Sequence, residues 1–185
     1  MALTKTPVCD FGKKAEDFKL KSIYNKVVTL NDIKGEKATL IMFICNHCPY
    51  VKAIIKDLAK DCNELRNDGI NSVAIMSNDT KNYPEDSFEN MVKFADINNF
   101  GNINYLFDET QEIAKKYGAV CTPDFFGYNK NLELQYRGRF RELKDLKPVN
   151  NGESDLKIAM KMVAQTQKGP NEQIPSMGCN IKWFN

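Results

Sequence analysis

The 185-residue chain has a single histidine and a single tryptophan, and no marked excess of either charge: 26 Lys+Arg against 24 Asp+Glu, a formal net charge of +2. One histidine is too few for a multi-imidazole metal site. The near-neutral balance argues against the basic face that binding to nucleic acid or an anionic membrane requires. No apolar run approaches the roughly 20 residues that cross a bilayer. Met1-Ala2-Leu3-Thr4-Lys5-Thr6-Pro7 lacks the apolar centre of a secretory signal. No internal repeat, linker or low-complexity tract breaks the chain, so a single domain over 1–185 is expected, with 42% hydrophobic residues to build its core. These absences point to a cytoplasmic protein that binds neither nucleic acid nor membrane; there is no signal for oligomeric state. In that compartment six cysteines do not make a permanent disulfide framework, which leaves a reactive pair as their better use.

The pair is plain. Leu40-Ile41-Met42-Phe43-Ile44 reads as a buried strand, and it runs into Cys45-Asn46-His47-Cys48-Pro49. Beyond Pro49, the residues Val51, Ile54, Ile55, Leu58, Cys62 and Leu65 form one helical face, closed by Asn67-Asp68-Gly69. Pro49 suits a first helical turn, where no N–H partner is lost. The cysteines therefore sit where a strand hands over to a helix, and the positive helix end favours thiolate over thiol. Cys45 is expected to attack a disulfide, Cys48 to resolve the mixed disulfide, and His47 to add a stabilising charge near Cys45. A structural zinc site needs four ligands, and with one histidine and no second C-x-x-C the chain does not supply them.

Around this centre the pattern is that of an α/β fold. Lys19–Ser22 and Val27–Leu30 read as a hairpin, within an N-terminal extension over 1–37 in which Phe11 and Phe18 are expected to lie against the domain. Ile70–Ser77 is a second buried strand, parallel to the first through the intervening helix. A helix start at Pro84-Glu85-Asp86-Ser87 leads into a stripe of Phe88, Met91, Val92 and Ala95. Tyr105–Phe107 reads as a strand, 111–117 as a helix stopped by Gly118, and 121–128 with 132–139 as a hairpin. Leu156, Ala159, Met160 and Val163 mark a last helix. The tail 169–185 is non-helical, yet Ile174, Met177, Ile181, Trp183 and Phe184 make it too apolar to stay in water, so it is expected to pack on the domain.

Cys45-Asn46-His47-Cys48-Pro49-Tyr50-Val51, Ser77-Asn78-Asp79, Tyr83-Pro84-Glu85-Asp86-Ser87, Cys121-Thr122-Pro123-Asp124-Phe125-Phe126, Tyr136-Arg137-Gly138-Arg139 and Gly178-Cys179-Asn180-Ile181-Lys182-Trp183 together resemble the thioredoxin-like superfamily. Within it the chain is most similar to the alkyl hydroperoxide reductase/thiol-specific antioxidant grouping. The resemblance implies a central mixed sheet with helices on both faces, and a cis Thr122–Pro123 bond opposite the cysteines. In that place the Thr122 backbone can pair with a bound peptide as an added strand. It implies an antioxidant thiol-disulfide oxidoreductase acting on protein or small-molecule disulfides and thiols, whose only redox group is a Cys45–Cys48 disulfide, with no separate cofactor or metal. Asn46-His47 replaces the Gly-Pro of thioredoxins proper, and no carboxylate in the central strand serves Cys48. Asp79 or Glu85 is the candidate proton acceptor.

Two other functions compete. A thiol peroxidase of the P-x-x-x-T-x-x-C type is not matched, since counting back from Cys45 gives Met42 and Ala38, and from Cys48 gives Cys45 and Ile41. Cys45, His47 and Cys48 are soft enough to hold copper(I) as a binding protein would. Of the other cysteines, Cys62 falls on the apolar helix face and Cys9 carries no signal. Cys121 precedes the Thr122–Pro123 loop and is a candidate auxiliary thiol. Cys179 is either a small buried hydrophobe or an auxiliary thiol within reach of Cys121 or Cys48. Arg137 and Arg139 are solvated strand-end arginines or contacts for an acidic substrate group.

Overall fold

A computed structural model describes residues 3–184. Strands are β1 (Leu3–Lys5), β2 (Lys19–Ser22), β3 (Val27–Thr29), β4 (Ala38–Phe43), β5 (Ile70–Met76), β6 (Asn104–Phe107), β7 (Cys121–Thr122), β8 (Asp124–Asn129), β9 (Leu134–Tyr136), β10 (Leu143–Lys144), β11 (Lys147–Pro148) and β12 (Met177–Asn180). Helices are α1 (Leu30–Ile33), α2 (Pro49–Leu65), α3 (Phe88–Ile97), α4 (Glu112–Tyr117) and α5 (Asp155–Thr166).

Seven strands form the main sheet, in the order β3-β2-β6-β5-β4-β8-β9. β4 pairs with β5, and β5 with β6, in parallel; the other neighbours are antiparallel, so the sheet is mixed. β4 is buried along its whole length because both of its faces are covered. Its side chains alternate between them. Leu40 and Met42 pack with Ile54 and Leu58 of α2 and with Leu156, Met160 and Val163 of α5. Ile41 and Phe43 pack with Ile33 of α1 and with Ile113 and Tyr117 of α4. Helices thus close both faces, as the motif pattern implied.

The strand-to-helix unit forms as its sequence dictates. Pro49 opens α2, Cys48 is its N-cap residue, and Gly69 ends the unit at φ +78°, a conformation that glycine adopts without strain. Three expectations need correcting. Phe11 and Val92 are exposed, whereas Phe18 and Met91 are buried. Residues 121–122 leave the hairpin with β9: β7 belongs instead to a small antiparallel sheet of order β1-β12-β7. The tail does pack on the domain, but through its backbone. Ile174 is 54% exposed, Phe184 44%, and Met177 and Trp183 each 37%, while Ile181 alone of the five is buried. What holds the tail is strand pairing and a set of amide bonds. The Gln111 Nε2 donates to Ser77 O and Lys182 O, both at 2.7 Å, and Phe184 N donates to Gln111 Oε1 at 2.8 Å. No helix among the described residues is long and apolar enough to cross a membrane.

Candidate active site

The turn between β4 and α2 is built on a carboxylate from another part of the chain. Asp86, completely buried, accepts from Asn46 N at 2.8 Å, His47 N at 3.3 Å, His47 Nδ1 at 2.7 Å and Asn78 Nδ2 at 2.8 Å. The Asn46 amide donates to Glu85 O and accepts from the Tyr105 hydroxyl. His47 lies flat on Tyr83, the ring centroids 5.6 Å apart. Asp86 raises the His47 pKa, against the smaller opposing effect of burial. The His47 ring nitrogen is thereby engaged by Asp86, and the Asn46 and His47 N–H groups of the turn go to the same carboxylate.

Opposite this turn stands the Thr122–Pro123 loop, whose peptide bond is cis. Cys45 Sγ lies 3.3 Å from Thr122 Oγ1, and the Cys48 thiol donates to Thr122 O at 3.1 Å. Both cysteines are unexposed. Both sulfurs reach Thr122, and the surroundings of the two differ. The neighbouring Cys48, then burial, then the Asp86 charge raise the Cys45 pKa. Cys48 is lowered by its Cys45 neighbour against the effect of burial, with Cys179 and the start of α2 adding to the lowering. The surroundings of Cys48 thus favour its thiolate form, and the start of α2 supplies a donor there.

Of the other sequence-derived candidates, Cys179 arrives at the site, opposite the same Thr122 whose carbonyl the Cys48 thiol reaches. Cys121 is buried next to the loop, its thiol 3.6 Å from Pro123 O, and burial pushes its pKa far up. Asp79 is not a proton acceptor for the pair: its carboxylate caps its own turn, taking Lys81 N and the Asn82 amide. The carboxylate that does reach the turn belongs to Asp86, beside Glu85, and in the sequence it looked like an ordinary acid in a helix start. Nor are the two arginines free. Arg137 is buried, paired with Asp124 at 3.0 Å and stacked on Phe126, and Arg139 is paired with Asp155. Cys62 is core, touching Met42, with burial raising its pKa to about 12. Half-buried Cys9 is likewise raised to about 11 by burial.

The copper ligand set of Cys45, His47 and Cys48 is not assembled. The side chains gathered within 4.8 Å of one another are Cys45, His47 and Asp86, and the hard, already saturated carboxylate suits copper(I) poorly. The edge that Thr122 was expected to offer to a bound peptide is also taken, because β12 pairs there, Cys179 facing Thr122. Beside the loop opens a cavity of about 430 Å³ lined by Tyr50, Ile54, Pro123, Phe140, Arg141 and Met177, among others. The Arg141 Nε there is buried without a hydrogen-bond partner, its nearest carboxylate being Asp57 at 3.7 Å from the guanidinium.

Two cysteines at a strand-to-helix turn, both reaching Thr122 of a cis-proline loop on a mixed sheet, define a redox protein of the thioredoxin-like kind. The comparisons agree: residues 11–140 match the AhpC/TSA family, and the chain belongs to it. It is 41% identical to an uncharacterised conserved protein from Geobacillus kaustophilus, covering 100% of this chain and 97% of that one, with a TM-score of 0.89. A hypothetical protein from Sinorhizobium meliloti is 36% identical over 98% of both chains, with a TM-score of 0.90. A secreted disulfide oxidoreductase from Mycobacterium tuberculosis shares the fold at 17% identity, covering 64% of this chain and 80% of that one, with a TM-score of 0.54. No curated protein matches.

Proposed function

We propose that the chain is a thiol-disulfide oxidoreductase that cycles Cys45 and Cys48 between dithiol and disulfide. The observation that carries this is the convergence of the two sulfurs on the cis-proline loop, Cys45 Sγ 3.3 Å from the Thr122 hydroxyl and the Cys48 thiol 3.1 Å from the Thr122 carbonyl oxygen. As Cys45 Sγ attacks a substrate disulfide RS–SR′, its proton passes to the Cys48 thiolate and R′S⁻ departs. Cys48 then attacks Cys45 Sγ, its proton leaves with RS⁻ as RSH, and the Cys45–Cys48 disulfide remains. The two electrons of the dithiol have reduced one substrate disulfide. Thr122 Oγ1 donates to the Cys45 sulfur while it carries charge.

Substrates of low molecular weight suit the site best. Neither cysteine is exposed, and the strand edge a peptide would use is filled by β12, so a small disulfide meets the pair with the least opening of the chain. Flanking groups of such a substrate enter the cavity beside Pro123, where Arg141 answers a carboxylate. A cytoplasmic setting belongs to this reading, since six free cysteines stay reduced there.

Thr122 also supports a second reading, a thiol peroxidase, because its hydroxyl approaches Cys45 from a different loop than the P-x-x-x-T-x-x-C pattern provides. Turnover of oxidised glutathione and of hydrogen peroxide by the same protein separates the two. The oxidoreductase reading expects disulfide turnover lost in Cys45→Ser and a trapped mixed disulfide on Cys45 in Cys48→Ser. Peroxide consumption with no disulfide turnover replaces it with the second reading.

A further inference from the structure

Cys48 has two thiol neighbours, one on each side. Cys45 is four residues before the α2 helix begins its run; Cys179 comes from the far end of the chain, on the strand that pairs with Thr122. The approach is close by construction. A Cβ on Gly178 would stand 2.0 Å from Thr122 O and 3.0 Å from Pro123 Cδ, so only glycine lets the tail lie this tightly against the cis-proline loop. Lys182 N is held by Asn78 Oδ1 at 2.9 Å, Asp79 N by Lys182 O at 2.8 Å, and the Ser176 hydroxyl donates to Pro123 O at 2.7 Å. These bonds fix β12 on both sides of Cys179. Cys179 stands directly opposite Thr122 in the strand pair, and the Cys48 thiol donates to the Thr122 carbonyl at 3.1 Å, so the two cysteines meet at one residue.

We propose that Cys179 is a third redox thiol, which attacks Cys48 Sγ of the Cys45–Cys48 disulfide and moves the disulfide to Cys48–Cys179. This rests on the oxidoreductase reading of the pair and extends it. The Cys179–S bond to Cys48 forms as the Cys45–Cys48 bond breaks, the Cys179 proton goes to the departing Cys45 sulfur, and no electrons enter or leave. The oxidised protein thereby holds its disulfide on the tail side of Cys48 and presents Cys45 again as a thiol. On this route Cys45 does not pair with Cys179 directly; every exchange passes through Cys48.

Trypsin gives a direct readout. Lys37 and Lys52 bound a peptide that carries both Cys45 and Cys48, whereas Cys179 lies in the peptide 169–182. The full-length protein and its Cys45→Ser, Cys48→Ser and Cys179→Ser variants are equilibrated with oxidised and reduced glutathione over a range of ratios, alkylated, digested and mapped without reduction. The expected result is a 38–52/169–182 cross-link in the wild type and in Cys45→Ser, none in Cys48→Ser, and only the internal Cys45–Cys48 disulfide in Cys179→Ser. Cys179→Ser should also require a more oxidising ratio for half-oxidation, since one oxidised form is gone, while its melting temperature stays close to wild type. Absence of the cross-link in both the wild type and Cys45→Ser overturns the proposal and leaves Cys179 as packing. A cross-link of equal yield in Cys48→Ser overturns the central place of Cys48. Absence of the Cys45–Cys48 disulfide in Cys179→Ser would be the separate failure of the oxidoreductase reading, and Cys45→Ser still decides the fate of Cys179 in that case.

Discussion

Two aspartates, Asp86 and Asp124, are both completely buried, and each anchors one of the two loops that face each other across the cysteines. They are neutralised differently. Asp124 meets a guanidinium, with Arg137 Nη2 at 3.0 Å, and the same arginine donates to Gly118 O. Even so, burial outweighs the arginine and leaves the Asp124 pKa raised. Among the described residues Asp86 pairs with no lysine or arginine. Two backbone N–H groups, the Asn78 amide and the His47 ring share it. Arginine does not titrate near neutral pH, and histidine does. The cis-proline loop is therefore fixed at any working pH, while the cysteine turn rests on an anchor whose strength depends on the charge of one imidazole.

Breaking the permanent pair should have the largest effect. Arg137→Ala leaves Asp124 as a buried charge without a partner, a loss of about 3–5 kcal/mol, read as a lowered midpoint in urea unfolding. A stability within about 1 kcal/mol of wild type would show that the two anchors do not differ in the way described. Asp86→Asn should cost less, about 2 kcal/mol, because the amide still accepts from part of the same donor set. Its more telling effect is on reactivity. The Asp86 charge raises the Cys45 pKa, so its removal should move the pH profile of Cys45 alkylation to lower pH. An unmoved profile would deny Asp86 any electrostatic hold on the pair.

The smallest effect sharpens the comparison most. The folded-state pKa of His47 is raised above its ordinary value, so its pairing with Asp86 stabilises the fold fully below the unfolded-state value, near 6.5, and that stabilisation is lost as pH rises through the folded-state value. The difference in melting temperature between wild type and His47→Gln should accordingly be larger at pH 5.5 than at pH 8.5. For Arg137→Ala the stability loss should instead be smaller at pH 5.5 than at pH 8.5, because removing the guanidinium raises the Asp124 pKa further and protonation relieves the buried charge at the acid end. Equal pH dependence of the two variants would dissolve the distinction.

Local pattern makes the centre of this site legible in the sequence alone. The β4–α2 unit announces itself because a buried strand, a C-x-x-C, a first-turn proline and a C-terminal glycine all lie within one stretch, and each is a short-range signal. What escapes is long-range. Nothing in the run Pro84-Glu85-Asp86-Ser87 tells which of its two acids turns toward a loop some 40 residues earlier, and the choice of Asp79 or Glu85 misses by a single position. The tail misleads in another way: its apolar residues promise burial, but backbone pairing and the Gln111 amide hold it while Trp183 and Phe184 stay partly in water. Arg137, at the end of a strand in the sequence, turns inward because Asp124 is buried beneath it.

The central claim is that Cys45 and Cys48 form one reversible two-electron couple, and its most direct test is the equilibrium of Cys179→Ser with glutathione, where no third thiol complicates the titration. The account predicts a single transition with a slope of about 30 mV per tenfold change in the oxidised-to-reduced ratio, with the internal disulfide of the 38–52 peptide rising along the same curve. Glutathione adducts on either cysteine in place of that disulfide, or no oxidation across the range, would contradict it.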